Sequence, residues 1–296
     1  MSGRATTAEG SFEGVGGLKI ATHTWRPAGR ARAVVVIVHG FNAHSGMYGW
    51  VADQLVADGL AVYALDLRGR GKSDGERYFV QKFSDYTGDL ATFINLVKTR
   101  EPGLPVFLLG HSAGGMVACI YALDHQRELV GLISESFAFE VPAPDFALAV
   151  LRGVSHVAPH AHVLKLRNED FSRDHAVVAA MNADPLIAHE VQPTQTVAEL
   201  VRADERFKKE LKNITLPVLI LHGTQDRATK PSGSQHFHDG VGSKDKTLKL
   251  YKGHYHDLLN DVGKADVMAD IQDWLDKRIP AQSEAAAATG ADRGRR

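Results

Sequence analysis

Short apolar runs of strand length alternate with segments of helical period along most of this chain. That alternation leaves few folds other than a mostly parallel sheet covered by helices, an α/β class. The runs are "VVVIVH" (34–39), "LAVYAL" (60–65), "VFLLG" (106–110), "LVGLIS" (129–134), "VLILH" (218–222) and "TLKLY" (247–251). Between the second and third, Phe83, Tyr86, Leu90, Phe93, Ile94 and Val97 recur at helical spacing, so one apolar face should lie on the sheet. Residues 11–26 alternate loosely around "GVGG" and read as an antiparallel hairpin leading into the sheet. The last helix is expected from about Asp261 to Lys277, with Val262, Ile271, Trp274 and Leu275 inward.

The rhythm breaks between Ser134 and Pro217, where about eighty residues hold no strand-like run and several helical ones, such as "DFALAVLRGV". An unstructured loop of that length is improbable in a compact domain, so a helical insertion is expected. The layout is then a flexible N-terminus (1–11), an α/β core (12–135 and 215–279), a helical cap (136–214) and a disordered tail (280–296) that is small, polar and aperiodic. Basic and acidic residues nearly cancel, 34 against 35, so no overall field draws nucleic acid. Cys119 is the one cysteine, which excludes an intramolecular disulfide and a thiolate metal cluster; it reads as packing on the helix after residue 112. The N-terminus lacks the apolar stretch of a signal peptide, and no run of about 18 apolar residues suggests a membrane span, so a cytoplasmic protein is expected.

Two stretches match Gly-x-Ser-x-Gly: Gly71-Lys72-Ser73-Asp74-Gly75 and Gly110-His111-Ser112-Ala113-Gly114. With 28 glycines in the chain, spelling alone cannot vouch for both. The first lies in "DLRGRGKSDG", which also nearly spells a phosphate-binding loop, but Asp66 stands where that loop needs its first glycine and would repel phosphate. A nucleophilic serine must sit on a sharp turn between a strand and a helix, flanked by small residues because the two backbones nearly touch. Ser112 meets this, with "VFLLG" before it and "AGGMVACIYALD" after it. Ser73 follows the charged "RGRGK" and precedes no helix, so it reads as part of a glycine-rich surface loop.

A serine hydroxyl needs a base and an orienting acid, which in this arrangement follow it in chain order at later strand ends. "VLILH" runs into Asp226, and "TLKLY" runs into His254 and His256. Three strand ends thus deliver candidate groups to one edge of a parallel sheet. His256, deeper toward the last helix, is preferred over His254; Glu135 is the reserve acid, and Asp257 reads as a helix cap. The His-x-His pair lacks further ligands at a telling spacing, so no metal is expected. The oxyanion hole is assigned to the amide of Ala113 and to that of Phe41, in the "HGFN" turn after the first parallel strand.

Taken together, "HGFNAHSGMY", "DLRGRGKSDGER", "PVFLLGHSAGG", "NADPLI" and "HGTQDR" resemble the α/β-hydrolases of the monoacylglycerol lipase group, also described as serine aminopeptidase S33-like or lysophospholipase-like. The resemblance covers about residues 12–279. It implies an eight-stranded sheet, a helical cap, and cofactor-free hydrolysis of medium or long acyl esters. It supports Ser112, Asp226 and His256 as the triad, with Phe41 and Ala113 as oxyanion amides, and implies no catalytic serine in the loop holding Ser73.

Family members acting on monoacylglycerols often carry Glu and Arg where this chain has Ala43 and Met47, and Met where it has Ala113. Those departures bear on the alcohol group, since Ala113 leaves a roomier site. Met47, Phe137, Phe146 and Leu151 are candidate substrate-binding residues. The apolar segment from 139 to 164 can roof an acyl pocket, pack within the cap, or touch a membrane where lipid substrates lie. The expected activity is serine carboxylic ester hydrolysis of monoacylglycerol lipase type. The alternatives are a broader carboxylesterase, a lysophospholipase, a thioesterase, or a silent binding module.

Overall fold

The structure is a computed structural model that describes residues 5–139 and 153–279. In chain order, β1 (Thr6–Glu13), β2 (Lys19–Arg26), β3 (Val34–Val38), α1 (Gly49–Ala57), β4 (Ala61–Leu65), α2 (Phe83–Arg100), β5 (Val106–His111), α3 (Ala113–His125) and β6 (Gly131–Glu135) form the first part of the core. The insertion carries β7 (His162–Leu164), α4 (His175–Ala183), β8 (Gln192–Pro193) and α5 (Thr194–Glu210). The chain then returns through β9 (Val218–Gly223), α6 (Pro231–Gly240), β10 (Lys246–Tyr251) and α7 (Lys264–Asp276).

Eight strands form one sheet in the order β1-β2-β4-β3-β5-β6-β9-β10. The six from β4 to β10 run parallel, while β1 and β2 join antiparallel at one edge. Each expected apolar run is one of these parallel strands. Their side chains divide by the period of two: Val34, Val36 and Val38 pack toward α2 and α3, whereas Val35 and Ile37 pack toward α1 and α7. β3, β4, β5, β6 and β9 are buried on both faces and have no polar side, which is why their runs are almost continuously apolar, whereas β10 is a half-exposed edge strand and carries Lys249.

Several boundaries differ from the sequence reading. Residues 6–11, expected to be flexible, belong to β1, which pairs with β2 along its whole length. β1 is an almost wholly exposed edge strand, so residues 6–11 carry no apolar pattern that marks them as a strand. Val262 is half exposed and precedes α7, whose inward face is Val267, Met268, Ile271, Trp274 and Leu275. The insertion is not purely helical, because β7 and β8 pair in a short antiparallel ladder. Its α5 packs on α3 and α2 and sends Ala203 and Phe207 into the main core. Among the described residues of the insertion, Phe171, Met181 and Ile187 form a separate small cluster. Among the described residues no helix is long and apolar enough to cross a membrane. The tail at 280–296 and the segment "DFALAVL" lie outside the described residues.

Candidate active site

β5 ends at His111 and α3 begins at Ala113, so Ser112 alone makes the turn between them. It does so at φ 54° and ψ −120°, a backbone conformation that costs a non-glycine residue about 1–3 kcal/mol and clusters at functional sites. The small residues around it have a physical cause. A Cβ on Gly114 would stand 2.3 Å from the carbonyl oxygens of Val38 and His39, so only glycine lets α3 start this close to β3.

Asp226 follows β9, and His256 lies in the loop between β10 and α7. Because β9 and β10 are adjacent and parallel, their C-terminal loops meet, and His256 Nδ1 lies 2.7 Å from Asp226 Oδ2. Asp226 also accepts the backbone amides of Ala228 and Thr229 on Oδ1 and the Thr229 hydroxyl on Oδ2. A second imidazole, His222 Nε2, lies 2.9 Å from Oδ2, and His222 Nδ1 is 2.7 Å from Ser234 Oγ. Burial alone would raise the Asp226 carboxyl. The two histidines outweigh burial and hold it well below the usual carboxylate range.

With Nδ1 engaged, His256 presents Nε2, which is buried and has no hydrogen-bond partner. The ring is clamped between His111, 4.9 Å away and next to Ser112 in the chain, and Phe171 of the insertion, edge-on at 4.9 Å. His254 turns away, its Nδ1 3.9 Å from Asp261. Glu135, the reserve acid, instead accepts the Leu259 amide and sits beside Asp257. Asp257 precedes the short turn Leu258–Asn260 and accepts the Asn260 side-chain amide. Single atoms of His111, Glu135 and Asp257 come within 4.8 Å of one another, a donor set that could hold a divalent cation. Burial pushes both carboxyls up and His111 down, which favours a proton-carrying cluster over a pair of bare anions.

Phe41 follows β3 across from Ser112; a Cβ on the preceding Gly40 would lie 2.8 Å from Ser112 Cβ. Phe41 and Ala113 also share a small apolar cavity of about 10 Å³ with Leu67, Phe83, Val117 and Leu200, room for about one water. Met47 packs against the Phe171, Met181 and Ile187 cluster of the insertion. Phe137 is enclosed in the main core with Phe139, Phe207 and Phe237, so its ring serves packing. Phe146 and Leu151 lie outside the described residues.

The loop 66–75 is not on the surface, as its charges suggested, but largely buried. Asp66 accepts the Ser45 amide and hydroxyl and the Lys72 amide. Ser73 Oγ donates to the Asp66 carbonyl at 2.7 Å and accepts the Ala21 amide at 2.9 Å, which leaves it a structural role. Arg70, 1% exposed, pairs with Glu190 of the insertion. His222, Thr229, Arg70 and Glu190 were not singled out from the sequence. The one available signal was the rarity of ionisable residues inside apolar surroundings, and that appears only once the chain is folded.

The family described as "Serine aminopeptidase, S33" matches residues 29–263. A monoacylglycerol lipase of Mycolicibacterium smegmatis is 36% identical over 275 residues, spanning 92% of this chain and 98% of that protein. A monoglyceride lipase of Rattus norvegicus is 32% identical over 260 residues, spanning 86% of each. Among solved structures, the Paleococcus ferrophilus monoacylglycerol lipase superposes with a TM-score of 0.77 at 29% identity, covering 91% of this chain and 98% of that one. The family match covers most of the chain, and the mostly parallel eight-stranded sheet flanked by helices agrees with it: this protein belongs to the serine aminopeptidase S33 family of α/β-hydrolases.

Proposed function

We propose that this protein is a serine carboxylic ester hydrolase of monoacylglycerol lipase type, working through an acyl-enzyme. Ser112 Oγ attacks the ester carbonyl while His256 Nε2 takes its proton; Asp226 holds the imidazole through Nδ1. The amides of Phe41 and Ala113 stabilise the tetrahedral oxyanion. As the intermediate collapses, His256 returns the proton to the leaving alcohol. Water then attacks the acyl-enzyme by the same route and releases the fatty acid and Ser112. The observation that carries this reading is His256 itself, bonded to Asp226 through Nδ1 with Nε2 buried and free of any partner.

The surroundings of Phe41 and Ala113 are mainly apolar, with Leu67, Phe83, Val117 and Leu200 beside them, which suits the acyl part of an ester. A cytoplasmic location, with the apolar part of the cap meeting lipid surfaces, fits such a substrate; Val154, Val157 and Val163 are exposed there. The mechanism calls for no cofactor. Met47 supports a second reading of the alcohol group. It packs with the apolar cluster of Phe171, Met181 and Ile187, which favours a less polar alcohol and a broader carboxylesterase.

Hydrolysis of monoacylglycerols from C8 to C18, a triacylglycerol and p-nitrophenyl esters from C2 to C16, with Ser112→Ala alongside, tests both. Long-chain monoacylglycerol hydrolysis that vanishes in the variant is the expected result. Activity limited to short activated esters would keep the serine mechanism and discard the monoacylglycerol assignment.

A further inference from the structure

The insertion does more than cover the site: it grips the loop that carries Phe41. Asn42, the next residue, adopts a left-handed φ of 51°. Its amide donates to Glu190 Oε1 at 3.0 Å, and its side-chain Nδ2 donates to the Leu166 carbonyl at 3.2 Å and to Asn168 Oδ1 at 2.8 Å. All three acceptors belong to the insertion. The same Glu190 oxygen receives Arg70 and the Gln192 side-chain amide, while Arg70 Nη2 reaches Gln192 Oε1 at 2.5 Å. Arg70 in turn lays its guanidinium against the Phe41 ring, 4.2 Å from the centroid. Glu190 and Arg70 are both fully enclosed.

A buried ion pair is a poor way merely to dock a cap, because apolar side chains of similar volume do so at no desolvation cost. What the pair supplies is position. Glu190 fixes the peptide plane on the far side of Phe41, and Arg70 fixes its ring, so the remaining freedom of the Phe41 amide is small. We infer that Glu190, with Arg70, is a positioning residue for the oxyanion hole, so that a properly placed Phe41 amide depends on the docked insertion. This rests on the proposed role of Phe41.

The test compares Glu190→Ala with Glu190→Gln in the full-length protein, measuring kcat, KM, melting temperature and inhibition by an alkyl trifluoromethyl ketone, whose serine adduct places an oxyanion in the hole. Glu190→Ala should lower kcat by about 10- to 100-fold with KM within about threefold, and weaken the ketone in proportion. Glu190→Gln keeps an acceptor for the Asn42 amide, so kcat should recover to within about threefold of wild type although the unpaired Arg70 lowers the melting temperature. A kcat for Glu190→Ala within about twofold of wild type overturns the inference, as does a kcat loss in Glu190→Gln equal to that in Glu190→Ala, since a simple structural clip would move both with stability. If Glu190→Ala does not fold, Arg70→Lys keeps a cation for Glu190 but removes the planar face on Phe41. It should lose about five- to tenfold in kcat, and an unchanged kcat overturns the inference. Wild-type protein that resists the ketone, or an active Ser112→Ala, would instead remove the serine mechanism itself.

Discussion

His222 Nε2 lies 2.9 Å from Asp226 Oδ2, the same oxygen that His256 Nδ1 meets at 2.7 Å. The carboxylate is therefore held from both sides, and it is ionised in the folded protein well below the range in which a free carboxyl titrates. A lowered folded value means that its contribution to stability is complete above about pH 4 and is lost as the pH falls further. His222→Phe should lower kcat/KM by about five- to tenfold through a looser Asp226. Its deficit in melting temperature should be largest near neutral pH and narrow below about pH 4. Thermal unfolding across pH checks this; a deficit constant with pH would mean that His222 does not sustain the ionised form.

Ser73 satisfies the Ala21 amide and donates to the Asp66 carbonyl inside the protein. Ser73→Ala leaves a buried amide unpaired and should cost about 1–3 kcal/mol in denaturant unfolding. Ester hydrolysis by the folded variant should stay near wild type, in contrast to Ser112→Ala.

Glu135 carries the opposite pH signature to Asp226. Burial, with Asp257 beside it, raises its carboxyl well above the usual range, so the folded protein binds this proton more tightly than the unfolded chain. Its contribution is complete below about pH 4 and is lost as the pH rises through the raised folded value. Glu135→Gln keeps an acceptor for the Leu259 amide and cannot ionise. It should match wild type in acid and melt higher at pH 8, by about 2–4 °C for each kcal/mol relieved. Equal melting curves at pH 8 would show that the carboxyl ionises there without penalty.

Gly40 separates the Phe41 turn from Ser112. An added Cβ would stand 2.8 Å from Ser112 Cβ and 3.0 Å from the His111 carbonyl oxygen, so one of the two must move. Gly40→Ala should reduce kcat by about 100-fold, since displacements of about an ångström at a reacting centre cost that much. Labelling of Ser112 by an alkyl phosphonate should slow with it; labelling at the wild-type rate would place the tolerance of this turn higher than the contact allows.

The apolar runs and their alternation with helical segments determined the sheet, because a strand buried on both faces must be apolar at every position. Context at Ser112 separated it from Ser73, and chain order carried Asp226 and His256 to the same edge. The hairpin of β1 and β2 was legible from residue 11 onward, but the start of β1 was not, because an exposed edge strand is held by backbone hydrogen bonds that leave no apolar pattern. Only the tertiary structure decided the polar pairings. Arg70 meets Glu190 across 120 residues, Ser73 meets Ala21 across 52, and Asp226 meets a second histidine, His222, on the strand that precedes it. Hydrophobic periodicity records which face of an element is buried, whereas a buried charge is satisfied by whichever partner the folded chain brings within about 3 Å, and that partner is set by topology.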